Sequence, residues 1–401
     1  MSQRIVVTGV GIITSIGNNL EENVQSLLQG KTGIGKPEIL KTEHGSIPVC
    51  EIKLEDKQLL EWAGVAPGKG FTRTATLGLI AVREAIHTAG LSTAEIAASA
   101  FISGTTTGGV RELEKYFFEL QGEDVQGPWQ EFRDTANPGE HAERIADWLA
   151  IKNYIGTVST ACSSSANAVM LGAQMIAQGS VDRAICGGTE ALSRFTIGGF
   201  NSLFILDKGH CKPFDDERKG LNLGEGAAYL ILESEQSMKQ SGRKPIAELK
   251  GYGNANDSFH LTASSPEGMG AWKAMHAALQ SAGVEASRIG YINAHGTATE
   301  NNDLSEGLAI QKLFGDHPPL FSSTKPYTGH TLAAAGSIEA VYSIVALQHQ
   351  VIFPNLNFSI PMKELSIVPV TKLMKQVSLQ YVLSNSFGFG GNTSSLVLGK
   401  I

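Results

Sequence analysis

The stretch Val158-Ser159-Thr160-Ala161-Cys162-Ser163-Ser164-Ser165-Ala166-Asn167 decides how the chain is read. Before it, Tyr154-Ile155-Gly156-Thr157-Val158 is β-branched and aromatic, which predicts a short strand. After it, residues 166–179 run through Val169, Met170, Leu171, Met175 and Ile176 without a proline and end on Gly179, which predicts a buried helix. Cys162 therefore belongs to a strand-to-helix corner. Unpaired backbone N–H groups and the positive end of the helix dipole favour a thiolate there. Most cysteines are ordinary buried residues, so partners elsewhere in the chain must decide its role.

Working outward, strands and helices alternate. Upstream, residues 4–13 and 98–103 read as strands and 20–28, 76–89 and 140–149 as helices. Residues 51–73 are polar and glycine-punctuated, which suggests an irregular surface excursion, and 112–133 lack a clean period. Downstream, 183–187 and 227–232 are strand-like, and 235–244, rich in Gln, Ser, Gly and Lys, reads as a linker. The alternation then resumes, with strands over 245–253, 290–294, 319–323, 381–386 and 395–398 and helices over 271–282, 304–314 and 337–348. Such a pattern argues for an α/β protein with mainly parallel sheets covered by helices. Two halves of similar order, 1–240 and 241–401, point to an internal duplication.

Composition narrows the function. With 401 residues, 42% hydrophobic and 18% charged, the chain is of globular type. No apolar run approaches the roughly 20 residues of a membrane span, and the strand-like Arg4-Ile5-Val6-Val7-Thr8 makes a signal peptide unexpected. Cys50, Cys162, Cys186 and Cys211 are scattered, forming neither a CxxC metal pattern nor a disulfide framework, as suits the reducing cytoplasm. The net charge of −7 argues against nucleic acid.

The second half supplies the partners. Tyr291-Ile292-Asn293-Ala294-His295-Gly296-Thr297 delivers a histidine at the carboxyl end of a strand, where ligands collect in open α/β sheets. Ser322-Ser323-Thr324-Lys325-Pro326-Tyr327-Thr328-Gly329-His330 precedes an apolar helix containing Glu339. If the halves are duplicated, Cys162 and His330 occupy related corners. No third metal ligand lies near, so no metal and no cofactor are expected. A cysteine joined by two histidines points to covalent thioester chemistry.

At these residues the chain resembles the elongating β-ketoacyl-[acyl carrier protein] synthases, decarboxylating condensing enzymes of the thiolase fold. The match takes in Val6-Val7-Thr8-Gly9-Val10-Gly11, the Cys162 segment, Gly187-Gly188-Thr189-Glu190-Ala191, Pro213-Phe214-Asp215, Gly224-Glu225-Gly226-Ala227, both histidine segments and Ser384-Asn385-Ser386-Phe387-Gly388-Phe389-Gly390-Gly391. The resemblance implies two thiolase-like halves in a five-layered αβαβα core. It implies that Cys162 carries the acyl chain and that His295 and His330 hydrogen-bond the malonyl thioester oxygen as carbon dioxide leaves. Lys325 and Glu339 would form a supporting ion pair. Phe389 would gate the acyl pocket and, with Cys162, lend a backbone N–H to the oxyanion hole. The implied partners are acyl carrier protein with malonyl and acyl thioesters, and a second subunit, identical or related, in a dimer.

Departures bear on the substrate. Three serines follow Cys162 where alanine, threonine and glycine are usual, Gly391-Asn392-Thr393 replaces a threonine–asparagine order, and Glu300 replaces a proline. They resemble variants of aryl-polyene or flexirubin-type pathways, so a specialised polyene synthase stands beside fatty-acid elongation. A thiolase is disfavoured because no cysteine follows Cys211, and a chain-length-factor-like subunit because the nucleophile is present. For docking an acidic carrier protein, two basic clusters offer themselves: Lys69 with Arg73, and Lys208, Lys212, Arg218 and Lys219, of which the second is favoured.

Overall fold

Ile5–Thr14 (β1) is buried along its whole length, as only a strand covered on both faces can be. It lies at the middle of a ten-stranded sheet in the computed structural model, which describes residues 4–117 and 129–401. The other strands are Ala100–Gly104 (β2), Ile155–Val158 (β3), Arg183–Glu190 (β4), Gly226–Ser234 (β5), Ala247–Asn256 (β6), Ile289–Asn293 (β7), Leu320–Ser322 (β8), Tyr381–Phe387 (β9) and Asn392–Gly399 (β10). Their order across the sheet is β8-β7-β9-β10-β6-β1-β5-β4-β2-β3.

That order contains the same pattern twice. From the centre outward it reads β1-β5-β4-β2-β3 on one side and β6-β10-β9-β7-β8 on the other. On both sides the two inner pairings are antiparallel and the two outer ones parallel. A short antiparallel pairing of Ile5–Val7 with Ala247–Leu249 joins the halves. The expectation of mainly parallel strands is corrected: the sheet is mixed, parallel only in its outer arms. Counting alternating elements cannot report direction. The tight Gly388–Gly391 connection, for example, can only return β10 antiparallel to β9.

Helices complete the layers. Arg73–Ala89 (α1) covers β1, β5 and β4 on one outside, and Met269–Ala282 (α2) covers β6 and β10 on the other. Between the two half-sheets lie Ser164–Ala177 (α3) and Ala335–His349 (α4), packed against each other. Every residue of α4 from Ala335 to Leu347 is buried, which only a central layer permits. Glycines let the outer helices sit close. A Cβ on Gly11 would lie 2.0 Å from the Ala81 carbonyl of α1, and one on Gly253 would lie 2.2 Å from the Ala274 carbonyl of α2.

Two loop expectations are also corrected. Residues 51–73 contain the helix Asp56–Ala63, closed by left-handed Gly64, and 235–244 contain the helix Glu235–Ser241, capped by Ser234. Arg73 is the first residue of α1 rather than a surface charge: it is buried, its Nη2 lies 2.7 Å from buried Glu225 and its Nη1 2.9 Å from half-buried Asp56. It cannot serve a docking patch. Of the stretch left without a period, residues 118–128 lie outside the described residues. Among the described residues, no helix is long and apolar enough to cross a membrane.

Candidate active site

The nucleophile corner follows β3. Ala161 takes a left-handed backbone (φ 53°), uncommon for a residue with a side chain, and Cys162 behind it lines a cavity of about 340 Å³. Ser163 is the N-cap of α3, so Cys162 stands just ahead of the helix start. The other corner follows β8, where the helical turn Lys325–Thr328 and Gly329 lead to His330 and then to α4. His330 Nε2 lies 3.0 Å from Cys162 Sγ. His295 follows the end of β7, and its ring stands edge-to-face to His330 with centroids 5.3 Å apart. Cys162, His295, His330 and Phe389 all line the one cavity.

Lys325 sets the state of His295. Its Nζ donates to His295 Nδ1 (3.2 Å), to the His295 carbonyl (2.5 Å) and to Glu339 Oε1 (2.5 Å). An ammonium has three donors and no acceptor, so Nδ1 accepts and the ring hydrogen sits on Nε2. Burial holds both histidines well below the usual imidazole range, and the nearby Lys325 charge acts in the same direction. Both rings are therefore neutral. Burial also pushes Glu339 up to about 7 against the pull of Lys325.

Cys162 does not meet the thiolate expectation. Burial pushes its thiol up to about 12, outweighing Lys325 and the Phe389 N–H, which pull it down. At neutral pH it rests as a thiol beside a neutral imidazole. Phe389 lies on the glycine-rich connection from β9 to β10, where Gly390 and Gly391 have φ of 82° and 83°, conformations glycine takes without strain. Its ring stacks on Phe200 with centroids 5.7 Å apart, and the neighbouring Gly390 N–H donates to the Leu261 carbonyl.

All six side chains singled out in the sequence come together here, four on the cavity and the Lys325–Glu339 pair buried behind His295. Glu306 was missed. On the helix Glu300–Phe314, it accepts from the backbone N–H groups of His295 and Gly296 (both 2.9 Å) and from Asn385 (2.9 Å). Its signal was a carboxylate between Leu304 and Leu308 on a buried helix face. Of the favoured basic cluster, Lys208 and Lys219 are exposed and Lys219 lines the cavity. Arg218 is occupied by the carbonyls of Asp215, Thr299 and Glu300, and Lys212 faces Glu217 at 3.8 Å.

Comparison with known proteins gives concordant results. Residues 2–237 match the family described as beta-ketoacyl synthase, N-terminal domain, and residues 246–359 its C-terminal domain. The chain is 32% identical to 3-oxoacyl-[acyl-carrier-protein] synthase 2 of Staphylococcus aureus (strain COL), over 100% of this chain and 99% of that one. Among solved structures, the ishigamide ketosynthase/chain length factor superimposes with a TM-score of 0.93 at 31% identity, covering 100% of both chains. A ketosynthase (ApeO) in complex with its chain length factor (ApeC) from Xenorhabdus doucetiae gives 0.86 at 32% identity, covering 100% of this chain and 98% of that one.

Proposed function

Since this chain belongs to the beta-ketoacyl synthase family, we propose that its decarboxylative condensation runs through Cys162, His295 and His330. The observation that carries the reading is the 3.0 Å approach of His330 Nε2 to Cys162 Sγ in a cavity shared with His295. In the first half-reaction the Cys162 sulfur attacks an acyl thioester on acyl carrier protein. His330 Nε2 is in reach of the thiol proton, which ends on the departing carrier thiol. No free thiolate is needed, in keeping with a thiol held near 12.

In the second half-reaction malonyl-acyl carrier protein occupies the cavity. His295 Nε2–H donates to its thioester oxygen, and His330 joins it in the neutral tautomer that carries its hydrogen on Nε2. That oxygen gains charge as carbon dioxide leaves, so these donors act mainly on the transition state. The enolate carbon attacks the acyl group on Cys162. The N–H groups of Cys162 and Phe389 hold the resulting oxyanion, and its collapse yields 3-oxoacyl-acyl carrier protein and expels the sulfur as a thiolate, which takes a proton from water to restore the thiol. Lys325 and Glu339 keep the His295 tautomer. Phe389 gates the acyl pocket, moving on the two glycines that follow it.

The working form is a dimer, paired along the edge strand β3, where Tyr154 and Ile155 are exposed. We read 1–240 and 241–401 as its two thiolase-like halves, a division supported by the repeated strand order. A cytoplasmic location fits four free, buried cysteines. A second reading, a specialised polyene-type ketosynthase paired with a chain-length-factor subunit, is favoured by the likeness to two solved ketosynthases described with such a factor. The test is incubation with malonyl- and acyl-carrier proteins followed by mass spectrometry. Carbon–carbon bond formation with loss of carbon dioxide is expected; binding without turnover overturns the reading.

A further inference from the structure

Ser163 occupies the N-cap of α3, where a serine oxygen ordinarily accepts from a backbone N–H of the first turn. Here it makes no such bond. Its hydroxyl instead lies 2.7 Å from Asn392 Oδ1, a residue 229 positions away, with the Thr160 carbonyl as an alternative acceptor at 2.7 Å. Asn392 opens β10 directly after Gly391. The same Oδ1 accepts from Asn167 Nδ2 (2.8 Å) and Asn254 Nδ2 (3.1 Å). A hydroxyl carries one hydrogen, so Asn167 and Asn254 retain Asn392 whenever Ser163 turns to Thr160.

We propose that Ser163 and Asn392 form a clasp that positions the oxyanion hole. Ser163 is one residue after Cys162 and Asn392 three after Phe389, so the bond ties together the two chain segments whose N–H groups must converge on one oxygen. The proposal rests on the roles given above to those two N–H groups. Donors stabilise an oxyanion only when held within about 2.7–3.1 Å of its position, and a misplacement of about 1 Å costs up to about 100-fold. Contact alone sets how near the segments come: a Cβ on Gly388 would lie 2.7 Å from the Thr160 carbonyl. Sliding along that contact is what a directional bond prevents. Both residues are positioning residues, since Asn392 does not line the cavity and Ser163 is fully buried.

The experiment is a double-mutant cycle of Ser163→Ala and Asn392→Ala. Self-acylation by acyl-carrier protein and condensation should each fall about 5- to 20-fold in either single variant, the scale set by one lost hydrogen bond plus misplacement. The double variant should be no worse than the poorer single. Two reactions that need no oxyanion at Cys162 should stay within about twofold: alkylation of its thiol by iodoacetamide and decarboxylation of malonyl-carrier protein. Additive losses, an equal fall in alkylation, or unchanged acylation would each overturn the clasp. Both singles remove the Ser163–Asn392 bond, and Asn392→Ala takes the bonds from Asn167 and Asn254 with it, so a folding defect in Asn392→Ala leaves Ser163→Ala to decide. Cys162→Ala separates the levels. Acylation surviving in that variant rejects the site itself and the clasp with it, whereas its loss there beside unchanged rates in the clasp variants rejects the clasp alone.

Discussion

Cys162 and His330 stand at the same place in the two halves, each after the third strand and before the central helix, yet the two corners are held differently. The nucleophile corner is tied by neutral bonds among Thr160, Ser163, Asn167 and Asn392. The histidine corner lies beside a buried lysine, Lys325, and the carboxylates Glu339 and Glu306. The difference suits the role proposed for each. In that mechanism the sulfur changes its bonding twice per turnover, and hydroxyls and amides can readjust around it at little cost. His295 would present the same N–H to every substrate, and a saturated ammonium allows no other tautomer.

The sharpest way to break the comparison is to empty one corner. Cys162→Ala should abolish acyl-enzyme formation and condensation while malonyl decarboxylation persists, because both histidines remain. Mass spectrometry of the protein and release of labelled carbon dioxide read the two halves separately. Retained condensation would rule out the division of labour between the corners.

Next in size, His295→Ala or His330→Ala should slow malonyl decarboxylation by about 100- to 1000-fold, the usual effect of losing one donor to a developing oxyanion. Self-acylation of Cys162 should suffer less, and least in His295→Ala, since the work proposed for these donors is mainly on the enolate and only His330 also meets the thiol. Should acylation fail while decarboxylation stays normal, the roles are reversed.

How much of this was legible beforehand follows from the same corners. Cys162, His295 and His330 could be found because each sits in a local signature, a strand run followed by small residues and a helix. The duplication was legible as element order, whereas strand direction and the mixed sheet were not, since a hydrophobic run looks alike either way up. The burial of Arg73 was hidden because its partner Glu225 is 152 residues away. Ser163 and Asn392 were visible as two separate mismatches, and only the fold reveals that they touch. The thiol's high pKa was missed because a helix start is read from sequence, while full burial is a property of everything packed around it.

Lys325→Met tests the charged anchoring through pH. Glu339 is raised in the fold to about 7 from an ordinary 4.5, so its contribution to stability is present at low pH and lost as pH rises through 7. Without Lys325 nothing counters burial, and the carboxyl moves higher still. The variant should therefore lose little at pH 5, where Glu339 is neutral, and progressively more toward pH 8. The cost at pH 8 should exceed that at pH 5 by up to about 1.4 kcal/mol, since pH 8 lies one unit above a carboxyl that titrates at about 7. Thermal unfolding of both proteins across that range checks it. A destabilisation that is flat with pH would mean the anchor works by packing rather than by charge.

The smallest effect lies outside both corners, at the shared mouth. A chain of net charge −7 must meet an acidic carrier protein through local potential. Arg73 is buried, and Arg218 is spent on three carbonyls. Lys219 on the cavity rim and exposed Lys208 are then the charges of the two clusters best placed to meet a carrier. Exposed pairs are worth about 0.2–1 kcal/mol each, so Lys208→Glu with Lys219→Glu should raise the apparent KM for carrier-bound substrate only about 3- to 10-fold, allowing for repulsion as well as lost attraction. A short thioester mimic lacking the carrier should be unaffected, and the difference should shrink with salt, which screens over about 8–10 Å. Equal losses with both substrates would place the damage in the active site. Unchanged kinetics with both would move the docking face to Lys69 or to a surface of the partner subunit. Either corner would then receive its substrates from a side that charge at this mouth does not govern.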